Sequence, residues 1–170
     1  MADIPKQLAP NAVHLVRTAT QTNLALSQMA DQKASILMGA TFVVFTLSIG
    51  QARGGEVPIA LLVLAGFAFL SAMAAVAAVL PSVSGKSGSG EPNVLFFGTF
   101  TQLSEDEFAD QILARLAEDE AIYRTMLRDI HQNGMVLQHK KYRFLRLAYL
   151  LFLAGLVATA AVFVWELAQP

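Results

Sequence analysis

Apolar and polar positions divide this chain into weakly amphipathic, uniformly apolar and strongly amphipathic stretches, and each predicts a helix of a different kind. From Asn11, placed as an N-cap, a helical spacing groups Val13, Val16, Thr20, Leu24 and Ser27 on one weakly apolar face. The segment ADQKAS, Ala30 to Ser35, leads directly into the first apolar run. Between Lys33 and Arg53 stand 19 residues without a charge, enough to cross a hydrocarbon core of ~30 Å as a helix. Arg53-Gly54-Gly55-Glu56 reads as a tight polar turn, and Pro58 falls in the first turn of a second run ending before Pro81. The two runs predict a membrane hairpin over 34–80, with spans at about 34–52 and 57–80. A third uncharged run of 19 residues lies between Arg146 and Glu166 and predicts a span at 147–165, with Tyr149 and Trp165 as interfacial anchors.

Between the second and third runs the pattern changes twice. Pro81 to Asn93 is Gly/Ser-rich and reads as a linker. Val94-Leu95-Phe96-Phe97-Gly98-Thr99-Phe100 follows, a compact apolar patch that linker chemistry does not explain and that is expected to dock on protein or on the membrane surface. Ser104 and Glu107 then have capping-box spacing, with Glu105, Asp106 and Glu107 filling a first helical turn. From Ala109 a four-three spacing selects Leu113, Leu116, Glu120, Tyr123, Leu127, Ile130, Gly134, Leu137, Lys141, Phe144 and Ala148, a coiled-coil-like seam. One helix from Ser104 to Leu167 would be about 95 Å long. Gly134, beside Asn133, is the expected place for a break or kink.

Composition sharpens the class. Of 170 residues, 55% are hydrophobic and only 15% charged, and the mean hydropathy is +0.50, too apolar for an ordinary soluble domain. The charges decide orientation because they are segregated. With the N-terminus inside, Lys6, Arg17, Lys33, Lys86, Arg115, Arg124, Arg128, Lys140, Lys141, Arg143 and Arg146 are cytoplasmic and only Arg53 is outside. The expected fold is therefore an all-α membrane protein with three transmembrane helices, N-in and C-out. A cytoplasmic tail and amphipathic helix (1–33) precede the hairpin. A linker with the aromatic patch (81–103) and a long cytoplasmic helix (104–146) run into the third span. The chain has no cysteine, which removes disulfides and thiolate metal sites. The first apolar run begins too deep for a cleaved signal peptide.

The residues carry no catalytic constellation, so no enzyme is expected, and no metal site. His14, His131 and His139 lack metal-ligand spacing, and each reads as a solvated helix residue. Gly85-Lys86-Ser87 fails as a phosphate loop because position 80 is Leu where that motif needs Gly. Glu105/Asp106/Glu107 and Glu118/Asp119/Glu120 read as solvated, dipole-complementing faces. The cluster Lys140, Lys141, Arg143, Arg146 has two readings. One is a juxtamembrane anchor for anionic headgroups; the other is a phosphate site near Phe96 and Phe97, whose rings could stack on a base. Inside the spans the polar residues are Thr41, Thr46, Ser48, Ser71 and Thr159, none ionisable, which argues against a proton-coupled transporter. Small residues four apart (Ala68/Ala72, Ser71/Ala75, Ala154/Ala158, Gly155/Thr159) suit close helix packing within or between subunits, and a homo-oligomer is expected.

Three segments carry a resemblance: ADQKASILMG, PNVLFFGTF and DIHQNGMVLQHKKYRFLRLAYLLFLAGL. In this order, and over about Leu15 to Gly155, the chain resembles the transmembrane effectors of prokaryotic pyrimidine-cyclase (Pycsar) antiphage systems. The resemblance implies a bacterial inner-membrane, multi-pass protein answering cyclic UMP or cyclic CMP from an adjacent-gene uridylate or cytidylate cyclase. The implied response impairs the membrane and ends in abortive infection. It implies no cofactor beyond that activating ligand, and the partners are the lipid bilayer and the nucleotide, with no nucleic acid. No cyclic-nucleotide-binding domain is recognisable, so a site would be assembled from Asp31, Lys33, Asn93, Phe96, Phe97, Gly98, Lys140, Lys141 and Arg143. The alternative is a scaffold membrane protein whose coiled-coil-like helix recruits a cytoplasmic partner.

Overall fold

A computed structural model describes residues 8–51, 58–81 and 92–169, and every element among them is helical. The expected turn at Arg53–Glu56, most of the Gly/Ser linker, and Lys6, Arg53 and Lys86 lie outside the described residues. The elements are α1 (Ala12–Gln51), α2 (Ile59–Val79), α3 (Phe97–Phe100), α4 (Glu105–Leu116), α5 (Asp119–Val136), a π-helical segment (Leu137–Tyr142) and α6 (Arg143–Leu167). Three helical runs are long and apolar enough to cross a membrane: α1, α2, and the continuous run Asp119–Leu167. At 1.5 Å per residue, the 40 residues of α1 extend about 60 Å, twice a ~30 Å hydrocarbon core. The expected amphipathic helix and first span are thus one element.

The chain divides into two compact units. One takes residues 8–26, 81 and 92–136; the other takes 27–51, 58–80 and 137–169. The second unit is built on small residues. Leu37 of α1, Ala74 and Ala75 of α2 and Ala148 of α6 form one buried cluster, flanked by Met38, Leu151 and Phe152. Ala30, Ala34, Leu37, Thr41 and Ser48 are buried on α1 at four-three spacing. The hydroxyls of Thr41 and Ser48 donate to the carbonyls of Leu37 and Val44, each at 2.9 Å, so neither polar group is left unsatisfied in an apolar setting. Phe45 and Phe69 join α1 to α2 with ring centroids 5.9 Å apart. Two polar bonds tie α2 to α6. Buried Ser71 Oγ donates to the Ala148 carbonyl at 2.7 Å, and the Ile59 N–H donates to Glu166 Oε1 at 2.7 Å. Pro58 stands one residue before the first turn, as the N-cap, where its missing N–H costs nothing. The helices approach closely at Gly155, where an added Cβ would meet Cβ and Cγ of Phe67.

In the first unit, α4 opens with the capping box that its sequence predicts. Ser104 Oγ accepts from the Glu107 N–H at 3.3 Å, and Glu107 Oε2 accepts from the Ser104 N–H at 2.9 Å. The aromatic patch docks on protein in part: Val94 and Gly98 are buried, while Phe97 is 49% exposed. Phe100 stacks against Phe108 with centroids 5.3 Å apart, holding the single turn of α3 to α4.

Four expectations change. The long helix breaks at Ala117–Glu118, not at Gly134, which lies inside α5. The charges explain this: Arg115 closes the last turn of α4, and Asp119 and Glu120 open α5, each sign suiting the helix end it occupies. The N-terminal apolar face holds only in part: Val16 is buried as expected, but Val13, Thr20 and Leu24 are exposed, and Ala30, outside that face, is buried. Leu113, Leu116 and Leu127, expected in the seam, are each more than half exposed. Finally, Leu145 is buried where the spacing predicts Phe144, and the seam is met again at Ala148, as expected. The π segment lies immediately upstream of this exchange.

Candidate functional site

The nine residues proposed from sequence fall into two groups, one in each unit. In the first unit Asn93 is 3% exposed and fully engaged. Its Nδ2 donates to Asp129 Oδ1 at 2.8 Å, and its Oδ1 accepts the Leu95 N–H at 3.0 Å. The second bond is an Asx turn, which starts the chain into α3; the first fastens that turn to α5. One residue further on, the Ile130 carbonyl accepts from Asn23 Nδ2 at 3.0 Å, so α1 and the turn meet α5 at one level. Phe96 and Phe97 follow with ring centroids 4.8 Å apart. Phe97 is the more exposed, and Gly98 is buried beneath it. The group therefore presents an aromatic face on a polar-bonded turn, the kind of surface that can stack on a base.

In the second unit Lys141 is the centre. Its Nζ donates to Asp31 Oδ2 at 2.6 Å, to Asp31 Oδ1 at 2.8 Å and to Ser27 Oγ at 2.8 Å. These three bonds use all three ammonium protons. Ser27 and Asp31 lie four apart on α1, hence on one face, so a single lysine from the π segment grips α1 twice. The Lys141 side chain is 20% exposed and that of Asp31 44%. At that exposure the ion pair stabilises by on the order of 1 kcal/mol. Lys140 Nζ donates to the Leu80 carbonyl at 2.7 Å, meeting the C-terminal end of α2 where a cation suits the dipole. Arg143, Arg146 and Lys33 are exposed. The structure thus divides the basic cluster: Lys140 and Lys141 bind helices together, and the arginines face outward, as headgroup anchors do.

Outside these groups, the capping bonds from the Ser104 N–H and then its hydroxyl hold the Glu107 carboxyl below its ordinary pKa. Among the described residues no three His, Asp or Glu side chains converge to hold a metal ion. A crevice of about 430 Å³ between α2 and α6 is lined by Pro58, Leu61, Leu64, Leu156, Ala160 and Phe163 among others, with Thr159 its one polar side chain and no charged group for a phosphate; the Thr159 Oγ1 is buried and has no hydrogen-bond partner among the described residues. Sequence reasoning missed Ser27, Asn23, Ser71, Asp129 and Glu166 as partners. Hydropathy treats each as an isolated polar position. Ser27, Ser71 and Glu166 were named for other reasons, as a face, a small-residue pair and a span boundary, and Asp129 only as the first residue of DIHQNGMV.

Among the described residues the fold is all-helical, with three helices fit to cross a membrane, joined by small-residue packing and a few polar bonds. A family described as the Pycsar effector protein domain matches residues 14–167, and the chain belongs to that family. No curated protein and no solved structure matches the chain.

Proposed function

We propose that this chain is the membrane-acting effector of a Pycsar defence system. A cyclic pyrimidine nucleotide, cyclic UMP or cyclic CMP, made by a partner cyclase encoded next to it, activates the protein to impair the inner membrane, and the infected cell dies before phage are released. The carrying observation is the family match over residues 14–167, which spans the apolar helices and the polar segments together. The excess of Lys and Arg on one side of the spans supports an N-in, C-out arrangement, with both candidate groups facing the cytoplasm where a nucleotide would be made. The small-residue spans support assembly of several copies, which adds the modest ~1–3 kcal/mol that one ligand contributes to a switch.

Two candidates are informative because their loss spares the fold. Phe97 and Arg143 are exposed, whereas Asn93 and Lys141 hold structural bonds. In liposomes carrying the purified protein, one cyclic pyrimidine nucleotide should release trapped dye while cyclic AMP does not, and Phe97→Ala or Arg143→Ala should weaken that response. Dye retained with every nucleotide, by protein shown to be inserted and folded, would overturn the reading. The exposed leucines Leu113, Leu116 and Leu127 favour a second reading, a scaffold recruiting a helical partner. It predicts a stable complex and no effect of nucleotide on the bilayer.

A further inference from the structure

Within the second unit, α2 and α6 meet on either side of the crevice that they line and stand apart within it. On one side Gly155 lies against Phe67, and Ser71 Oγ bonds the Ala148 carbonyl. On the other side Glu166 Oε1 accepts the Ile59 N–H at 2.7 Å. Gly155 and Glu166 are about 16 Å apart along α6. Between these contacts the short side chains of Ala60 and Ala160 leave the gap unfilled. The crevice is therefore bounded at both ends and is not the splay of two helix tips. Its volume of about 430 Å³ falls in the range of small-molecule sites.

Hydrocarbon lining alone would suit any lipid chain, but Thr159 adds a requirement. The hydroxyls of Thr41 and Ser48 bond carbonyls four residues back, and that of Ser71 crosses to α6. Thr159 Oγ1 does neither, and it is buried without a partner among the described residues. At the depth of a span no bulk water is at hand, so an unpaired hydroxyl is costly and a ligand oxygen that pairs with it is favoured. A helical threonine has two staggered χ1 positions open to it, so the hydroxyl can be aimed at a ligand without moving the backbone. Thr159 lies about 10 Å from Glu166 along the helix axis, below the level of lipid headgroups. A phospholipid carries its oxygens at the headgroup end, and its acyl chain brings none to this depth.

We propose that this crevice binds an uncharged lipophile carrying one hydroxyl or carbonyl oxygen within its hydrocarbon body, with Thr159 as the residue that recognises the oxygen. The threonine hydroxyl donates to a carbonyl and can donate to or accept from an alcohol. Pro58, Leu61, Leu64, Leu156 and Phe163 enclose the apolar remainder. No charged side chain lines the crevice, so a charged ligand would enter without a counter-charge and is excluded. Because its walls come from both helices, an occupant ties α2 to α6 and stabilises the pair by mass action.

Photolabelling of the full chain in lipid nanodiscs tests the site with two probes. One is a dialkyl ketone bearing a diazirine; the other is the alkane of the same length with the diazirine in the same place. Adducts are mapped by mass spectrometry. The ketone should label 58–64 and 156–163 saturably and be displaced by excess unlabelled ketone. The alkane should label them no more than exposed positions such as Phe42 and Leu47. Thr159→Val keeps the side chain's shape and removes its oxygen. It should lower ketone labelling of the crevice by about two- to tenfold, the worth of one net hydrogen bond, and leave alkane labelling unchanged. Ala160→Phe, at an exposed position, should keep both probes out. Without probe, Thr159→Val should be at least as stable as the unsubstituted protein, since it loses an unpaired hydroxyl. Equal labelling by the two probes, or ketone labelling unmoved by Thr159→Val, overturns the site and leaves an acyl chain as the occupant. Destabilisation of the unliganded protein by Thr159→Val also overturns it, because the hydroxyl would then have a structural partner. None of these outcomes depends on nucleotide or leakage, so the site and the effector reading fail separately.

Discussion

Replacing Gly155 by alanine tests the close contact between α2 and α6. An alanine Cβ there meets Cβ of Phe67 inside any real contact distance and its Cγ at 3.0 Å. No rotamer of Phe67 relieves the first contact, because its Cβ is fixed to the α2 backbone. The helices must separate, and the Ser71 bond to the Ala148 carbonyl, two turns away, is strained with them. Overpacking of this kind costs about 2–3 kcal/mol, the upper part of its usual range, because backbone must move. Against this stands the better helix propensity of alanine, about 0.8–1.0 kcal/mol. The net expectation is a destabilisation of about 1–2 kcal/mol. Gly66 and Gly39 are internal controls, since a Cβ at either meets nothing within 4 Å. Their alanine variants should be neutral or slightly stabilising. The assay is reversible unfolding of the full chain in mixed micelles, followed by helicity, with the three variants side by side. If Gly155→Ala and Gly66→Ala are equally stable, α2 and α6 are not in the contact described, and the packing argument fails.

Ser71→Ala should destabilise the bundle by about 0.6–1.7 kcal/mol, the range for interhelical hydrogen bonds in spans, in the same unfolding assay. Asn93→Ala removes a buried side chain bonded to Asp129 and to the Leu95 N–H. It should cost about 1–3 kcal/mol and raise amide exchange across 94–100 more than across α6. The Glu107 carboxyl, held below its ordinary pKa first by the Ser104 N–H, stabilises the start of α4 while it is ionised. That contribution is fully present above the unfolded-state pKa and is lost as pH falls through the lower folded-state value. Amide exchange in the first turn of α4 should accordingly accelerate on acidification, and Glu107→Gln should flatten the dependence.

The sequence discloses the spans because uncharged runs of 19 residues leave few alternatives. It discloses the α4 cap for a similar reason: Ser104 and Glu107 act over three residues, within reach of pattern reading. Long-range pairings are a different matter. Asp31 and Lys141 are 110 residues apart, and nothing local distinguishes Lys141, which grips α1, from Arg143, which faces outward two residues on. The inward face of α1 is obscured because alanine, threonine and serine make up much of it beside Val16 and Leu37, while other large side chains, Leu24, Phe42 and Leu47, are exposed. In lipid, large apolar residues have no reason to turn inward, and close packing selects small ones.

The central claim is that this chain itself senses the nucleotide. Calorimetric titration of cyclic UMP, cyclic CMP and cyclic AMP into the full-length protein in lipid nanodiscs, with no cyclase present, tests it most directly. The account predicts saturable binding of one cyclic pyrimidine nucleotide, weakened by Phe97→Ala or Arg143→Ala, and no comparable binding of cyclic AMP. Absence of binding by either pyrimidine nucleotide, in protein whose helicity and insertion are intact, would contradict it and assign sensing to another chain.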